Sequence, residues 1–190
     1  RSEDGGVSWL ESDAGIPDGF DRIYKILINP SNSSVCYVAT RSEGSYKSSD
    51  GCKTWTKMTN LAPGFGRDRI YDMVFDPNNS DIIIASTYGQ IFRSTNAGVN
   101  WTDITGILAP DLFYTLIYSG SNLLQGSLSG ILSRSMNNGG TWLASSNGII
   151  EKEPQNIKSL LINNSSIIAG LYSVGIFKKV DSSANWTNIV

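Results

Sequence analysis

Apolar residues in this chain come in short runs, without a helical period of comparable strength. Four runs open a recurring unit: 22–28, 69–75, 112–119 and 156–163. A second run follows each, at 35–40, 82–87, 123–127 and 167–171, and then a third, at 45–49, 91–95, 131–136 and 176–180. All are short and rich in β-branched or aromatic residues, which predicts strands. Asn29-Pro30-Ser31-Asn32 and Asp76-Pro77-Asn78-Asn79 end the first two opening runs with strong turn signals. The pattern predicts an all-β array of repeated units.

A polar motif closes each unit. All five tryptophans end the same octet: Ser2-Glu3-Asp4-Gly5-Gly6-Val7-Ser8-Trp9, then Ser48 to Trp55, Ser94 to Trp101, Ser135 to Trp142 and Lys179 to Trp186. The tryptophans are 46, 46, 41 and 44 residues apart, a period that suits one four-stranded unit. Asp4, Asp50, Asn96, Asn137 and Asp181 stand third in the octet, where the side chain can accept backbone N–H groups one or two residues on. Gly6, Gly98 and Gly139 supply positive φ for a tight hairpin. The serines (Ser2, Ser48, Ser94, Ser135) can tie its other arm, and Trp9, Trp55, Trp101, Trp142 and Trp186 can lie over apolar neighbours as anchors and open a fourth strand. The last copy has lost its serine and glycine, and Cys52 replaces the glycine of the second.

Ser-x-Asp-x-Gly-x-x-Trp is the Asp-box, or BNR repeat, and the chain resembles the Asp-box β-propellers along nearly its whole length. That group spans sialidases, xyloglucan-active hydrolases, sortilin-type receptors and YCF48-type assembly factors. The resemblance implies a β-propeller of four-stranded antiparallel blades, a single Asp-box array over 1–190, with the box joining the third and fourth strands of each blade. Complete blades are then expected at 22–59, 69–105, 112–146 and 156–190. Residues 1–12 form the outer hairpin of an incomplete blade, so the chain reads as part of a larger propeller. Exposed sheet edges and blade faces follow. Further blades of a parent chain, or a second copy, would cover them.

Composition narrows the chemistry. The net charge of −2 argues against nucleic-acid or anionic-membrane partners, which demand a basic face. No apolar run reaches the roughly 20 residues of a membrane span. The chain lacks histidine, which removes Ser-His-Asp and Cys-His catalysis and most zinc sites. No cofactor and no metal are expected, since one box turn has too few oxygens for calcium. Cys36 and Cys52 are either two small buried residues or a disulfide fitting secretion. Pairing about a turn near Glu43 would set residue 36 opposite residue 50.

The resemblance puts ligand groups on the face opposite the boxes, in the loops between blades and between second and third strands. There the sequence offers Phe20, Asp21, Arg22, Arg41, Phe65, Arg67, Asp68, Arg69, Tyr88 and Tyr172. Rings for stacking and charges for directed hydrogen bonds suit a glycan or a protein loop. The plainer alternative is that Asp21–Arg22 and Asp68–Arg69 are surface ion pairs at strand ends. A sialidase would need an Arg-Ile-Pro motif, absent here. A xyloglucan hydrolase needs two opposed carboxylates, carried in that group by two propellers, with Asp18, Asp21, Asp68 and Asp111 as conceivable single halves. The expected function is a non-catalytic binding or scaffold module of a secreted or cell-surface protein. Its alternatives are a fragment of an Asp-box glycoside hydrolase and an assembly factor.

Overall fold

The computed structural model describes residues 1–19, 22–41, 44–58, 69–149, 156–172, 174–181 and 183–189. Among the described residues, sixteen strands form four antiparallel sheets. The first holds β1 (Ile23–Ile28), β2 (Cys36–Thr40), β3 (Ser45–Ser48) and β4 (Thr56–Lys57). The second holds β5 (Asp72–Asp76), β6 (Asn79–Ser86), β7 (Ile91–Ser94) and β8 (Thr102–Asp103). The third holds β9 (Phe113–Ser119), β10 (Asn122–Ser127), β11 (Leu132–Ser135) and β12 (Leu143–Ala144). The fourth holds β13 (Ile157–Asn163), β14 (Ser166–Leu171), β15 (Gly175–Val180) and β16 (Thr187–Asn188). Each sheet is a meander in chain order, and its first strand faces the hub, with β1 on β5, β5 on β9 and β9 on β13. These are four propeller blades.

Successive residues of a strand serve opposite faces, so one strand feeds two cores. In β2, Cys36 and Val38 join Ile16, Tyr46 and Trp55 on one side. Tyr37 and Ala39 join Met73, Phe75, Ile83, Phe92 and Trp101 of the second blade on the other. The same alternation places Ile84 and Ile91 against Phe113, Leu116, Leu123 and Trp142, and Leu124 and Leu132 against Ile157, Ile167, Phe177 and Trp186. Each large side chain buried this way contributes on the order of 1.5–3 kcal/mol. In the third blade, buried Gln125 and Ser133 stand where the second has Ala85 and Phe92.

The box turn is wider than the sequence suggests. Asp50 Oδ1 accepts the N–H groups of Lys53 and Thr54, three and four residues on, each at 3.0 Å. A bond to the next residue or the one after would have required a tighter turn. Ser48 Oγ donates to Asp50 Oδ1 at 2.8 Å and accepts the Cys52 N–H at 3.0 Å, so the serine stays inside the turn. The Ser2, Ser94 and Ser135 boxes repeat the plan, with Asp4, Asn96 and Asn137 capping residues 8, 100 and 141. The glycines have φ of 91°, 84° and 85°, and Cys52 at the same place has 63°. In the decayed box Asp181 takes another role among the described residues, accepting the Ser119 hydroxyl of the third blade at 2.9 Å. Lys179, in the serine position, reaches Ser145 Oγ at 3.2 Å. Burial, and then the Arg134 charge, push its ammonium pKa down.

Four tryptophans are buried anchors, and three of them also link neighbours. The Trp55, Trp142 and Trp186 indoles donate to the carbonyls of Ser12, Ile104 and Ser145, each three residues past the preceding tryptophan. Trp101 donates to Gly98 of its own turn. Trp9 differs, being 74% exposed. Its hairpin is closed by Leu10 N–H on the Arg1 carbonyl and the Arg1 amino group on the Leu10 carbonyl. Cys36 and Cys52 form a disulfide with Cα atoms 6.1 Å apart. The register behind it differs from expectation, since Cys36 pairs with Ser48 and Ala39 with Ser45. Residue 36 therefore lies opposite 48, and the disulfide spans to the box turn beyond.

Candidate binding face

Each first strand starts at the end of its blade away from the box. Ile23 pairs with Thr40 beside the β2–β3 loop, whereas Ile28 pairs with Cys36, beside Ser48 and the box. The third residue of each opening run forms one column: Tyr24, Tyr71, Tyr114 and Lys158. These four side chains make an unbroken chain across all four blades. Tyr24 and Tyr71 have ring centroids 5.0 Å apart at 44°, and Tyr71 meets Tyr114 edge-on at 5.8 Å. Lys158 Nζ stands 3.3 Å from the Tyr114 ring centre, a cation–π contact that ends the row in a positive charge. The three rings are half-buried and Lys158 is exposed.

Beneath the row a buried carboxylate ties three blades together. Asp72 Oδ1 accepts Lys25 Nζ from the first blade at 2.7 Å and its neighbour's Met73 N–H at 2.8 Å. Asp72 Oδ2 accepts the Leu116 N–H of the third blade at 2.8 Å. Lys25 follows Tyr24, Asp72 follows Tyr71, and Leu116 lies two past Tyr114, so this node sets the strand register that carries the rings. Burial pushes the Asp72 carboxyl pKa up, against the opposing pull of Lys25 and the two N–H donors. Such a group is built to hold strands rather than to exchange protons with solvent.

The residues expected in this region fall around that row. Arg22 and Arg41 meet through the Arg41 N–H on the Arg22 carbonyl at 2.9 Å. Tyr88 bridges to Leu112 of the next blade, the Tyr172 N–H bonds the Asn156 carbonyl, and both rings are about two-thirds exposed, at 68% and 66%. Arg69 lies two residues before Tyr71. Phe20, Asp21, Phe65, Arg67 and Asp68 lie outside the described residues, and with them both Asp–Arg pairs. Asp111 is occupied with its loop, accepting the Leu112 N–H at 2.7 Å and the Ser129 N–H at 3.2 Å. Among the described residues no group of three or more His, Cys, Asp or Glu could hold a metal ion. No described helix is long and apolar enough to cross a membrane.

The family described as "Sortilin, neurotensin receptor 3" (Sortilin-Vps10) matches residues 1–109, more than half of the chain. The chain belongs to the Sortilin-Vps10 family. A stretch of 114 residues in this Sortilin-Vps10 chain is 32% identical to an oligoxyloglucan-reducing end-specific xyloglucanase of Neosartorya fischeri, covering 55% of the chain and 14% of that protein. Among solved structures, an ancestral GH74 enzyme superposes with a TM-score of 0.77 at 18% identity, over 95% of this chain and 25% of its own. The extracellular domain of a one component system from B. thetaiotaomicron gives 0.73 at 14% identity, over 93% and 23%. At these identities the structures show the propeller fold alone. The chain spans about a quarter of those two structures and about a seventh of the xyloglucanase.

Proposed function

We propose that this chain is a non-catalytic binding module that holds a glycan over the Tyr24–Tyr71–Tyr114–Lys158 row. The row carries the proposal because it is continuous across four blades, holds three half-buried aromatic rings in contact, and ends in a cation. Sugar rings stack on such surfaces, while Lys158, Arg22 and Arg69 supply directed donors at the margin. The likeness to a xyloglucanase supports a β-linked glucan as the ligand class. A secreted or cell-surface setting is supported by the Cys36–Cys52 disulfide, which persists in oxidising compartments, and by the extracellular domain among the similar structures.

Calorimetric titration with xyloglucan oligosaccharides tests this. Tyr71→Ala, at the centre of the row, should weaken binding about tenfold, equivalent to roughly 1.4 kcal/mol. Equal affinity in wild type and variant, or no binding of any β-glucan, would sink the reading. The identity to the xyloglucanase also favours a second reading, a fragment of an Asp-box glycoside hydrolase. Release of reducing ends from xyloglucan by the chain, lost in Asp111→Asn, would establish that reading in place of the first.

A further inference from the structure

The fourth box has decayed, and the residues that replace its serine and glycine, Lys179 and Ser183, line a cavity. Asp181 of the same turn and Arg134, Ser145 and Asn147 of the third blade complete the lining, around about 350 Å³. Lys179 and Ser145 are buried, Arg134 and Asp181 are half-buried, and Asn147 and Ser183 are exposed. The cavity therefore runs from solvent into the seam between two blades. Both walls belong to neighbouring blades whose four strands are all described.

Two of the lining side chains are cations without a counter-ion. The residue before the box serine position is Lys47, Arg93 and Arg134 in the first three blades. Lys47 Nζ donates to the Ala97 carbonyl and Arg93 Nη1 to the Asn138 carbonyl, each in the next blade's box at 3.1 Å. The Arg134 guanidinium makes no such bond and no ion pair among the described residues. Lys179 Nζ donates to Ser145 Oγ at 3.2 Å and stands 6.0 Å from the Trp186 ring centre, with no described carboxylate in ion-pair reach. Buried charges are ordinarily paired, and a guanidinium cannot shed its proton. After burial, the Arg134 charge is the next cause that pushes the Lys179 ammonium pKa down, and Asp181 only partly opposes it. The two cations thus repel one another.

Asp181 adds a demand of the opposite kind. Its Oδ2 accepts the Ser119 hydroxyl at 2.9 Å, while its Oδ1 is buried and meets no donor among the described residues. A buried acceptor left without a donor costs about 1–3 kcal/mol. The cavity therefore asks for an oxyanion at one point and a hydrogen-bond donor at another. Its volume lies at the lower end of the roughly 300–1,000 Å³ of small-molecule sites, which admits a single ring rather than a long chain.

We propose that this cavity binds an acidic sugar residue, its carboxylate or sulfate group held by Arg134 and Lys179 and one of its hydroxyls donating to Asp181 Oδ1. The guanidinium offers paired N–H donors that match an oxyanion, and the ammonium adds a second charge. A bare inorganic anion would meet the first demand and leave Asp181 unserved. The site stands apart from the tyrosine row. Tyr114 is near the start of β9, whereas Ser119, which reaches Asp181, ends that strand at the box side.

Heteronuclear NMR titration of the 190-residue protein with D-glucuronate, a glucose sulfate ester, D-glucose and inorganic sulfate provides the test. Both acidic sugars should give saturable shifts at the amides of Ser145, Asn147 and Ser183, and glucose none. Inorganic sulfate should bind about tenfold more weakly than the sulfated sugar. Arg134→Gln, which removes no bond of the fold, and Lys179→Ser, which restores the residue of the other four boxes, should each weaken binding about tenfold or more without lowering the melting point. Tyr71→Ala should leave these shifts unchanged, so this site and the tyrosine row fail separately. No saturable shift with either acidic sugar would overturn the proposal, as would equal binding of glucose or unchanged affinity in both cation variants. Inorganic sulfate binding as tightly as the sulfated sugar would overturn the assignment to a sugar.

Discussion

Gly139 stands where the third blade meets Ile104 of the second, and adding one methyl group there has a calculable effect. Its φ is +85°, and a Cβ would meet Ile104 Cδ1 at 2.1 Å, Cγ1 at 3.1 Å and Cβ at 3.2 Å. Holding alanine in the left-handed region costs about 1–2 kcal/mol. Ile104 cannot simply retreat, because it packs with Ile84, Ile91 and Phe113 and its carbonyl holds the Trp142 indole. Forcing it aside adds about 1–3 kcal/mol of overpacking, so Gly139→Ala should destabilise the chain by about 2–5 kcal/mol. For a chain of this size that corresponds to a melting point lower by roughly 10 °C.

The same contact appears elsewhere with the sizes reversed. Gly98 faces Met58, whose Cε would lie 2.8 Å from an added Cβ, while Cys52, not a glycine, faces Ser12 through the Ser12 hydroxyl on the Cys52 carbonyl. Large residues thus meet glycine, and a small one meets a side chain. Urea unfolding of Gly139→Ala, Ile104→Ala and the double variant measures the coupling. The methyl group should cost about 1–2 kcal/mol in the Ile104→Ala background, the left-handed part alone. An effect below roughly 0.5 kcal/mol in the wild type, or an equal effect in both backgrounds, would refute the steric account.

Other consequences can be checked separately. The disulfide closes a separation of 16 residues, so replacing both cysteines should cost about 3 kcal/mol; Cys36→Ala/Cys52→Gly should lose about 1–2 kcal/mol less than Cys36→Ala/Cys52→Ala in urea titrations, because glycine suits the positive φ. Hydrogen bonds from Ser8 hold the Asp4 carboxyl near pKa 2, and those from Thr54 hold Asp50 lower still. Their folded values lie below the ordinary 3.8, so their contribution is complete above that pH and fades as pH falls through the folded values; Asp50→Asn should flatten the acid limb of the stability curve. Asp72 has the opposite sign: its raised folded value means its contribution declines as pH climbs from 3.8 through that value. Asp72→Asn should remove this decline, and should cost about 1–3 kcal/mol at neutral pH by leaving Lys25 without its charged partner.

Strand runs and box octets were legible because each is local: a few β-branched residues, or Ser-x-Asp-x-Gly-x-x-Trp, carry their own geometry. What escaped depends on how separate runs align. Tyr24, Tyr71, Tyr114 and Lys158 share one column of the repeat, a signal that shows only when the four opening runs are aligned. The Asp72 node was hidden for a different reason. Nothing in 72–76 tells that an aspartate at a strand start will take Lys25 from one blade and a backbone N–H from another. Cys36 and Cys52 were near each other on any register, yet the two-residue shift toward Ser48 depends on the loop length after Thr40. Asp181 keeps the box identity and loses its role, because Lys179 and Ser183 no longer supply the serine and glycine that fold the turn around it.

The backward reach of the tryptophans gives the molecule a direction of growth. Trp142 needs the Ile104 carbonyl and Trp186 the Ser145 carbonyl, so each new unit locks onto a surface that synthesis has already delivered. For these tryptophans a ribosome emitting the chain supplies the acceptor before the donor, whereas Lys47, Arg93 and Asp72 wait for Ala97, Asn138 and Leu116 of the unit that follows. Shortening from the two termini should then be unequal. Loss of the last unit strips a lid from finished neighbours, whereas loss of residues 1–16 takes away what Trp55 binds and unseats the unit on which the others were laid.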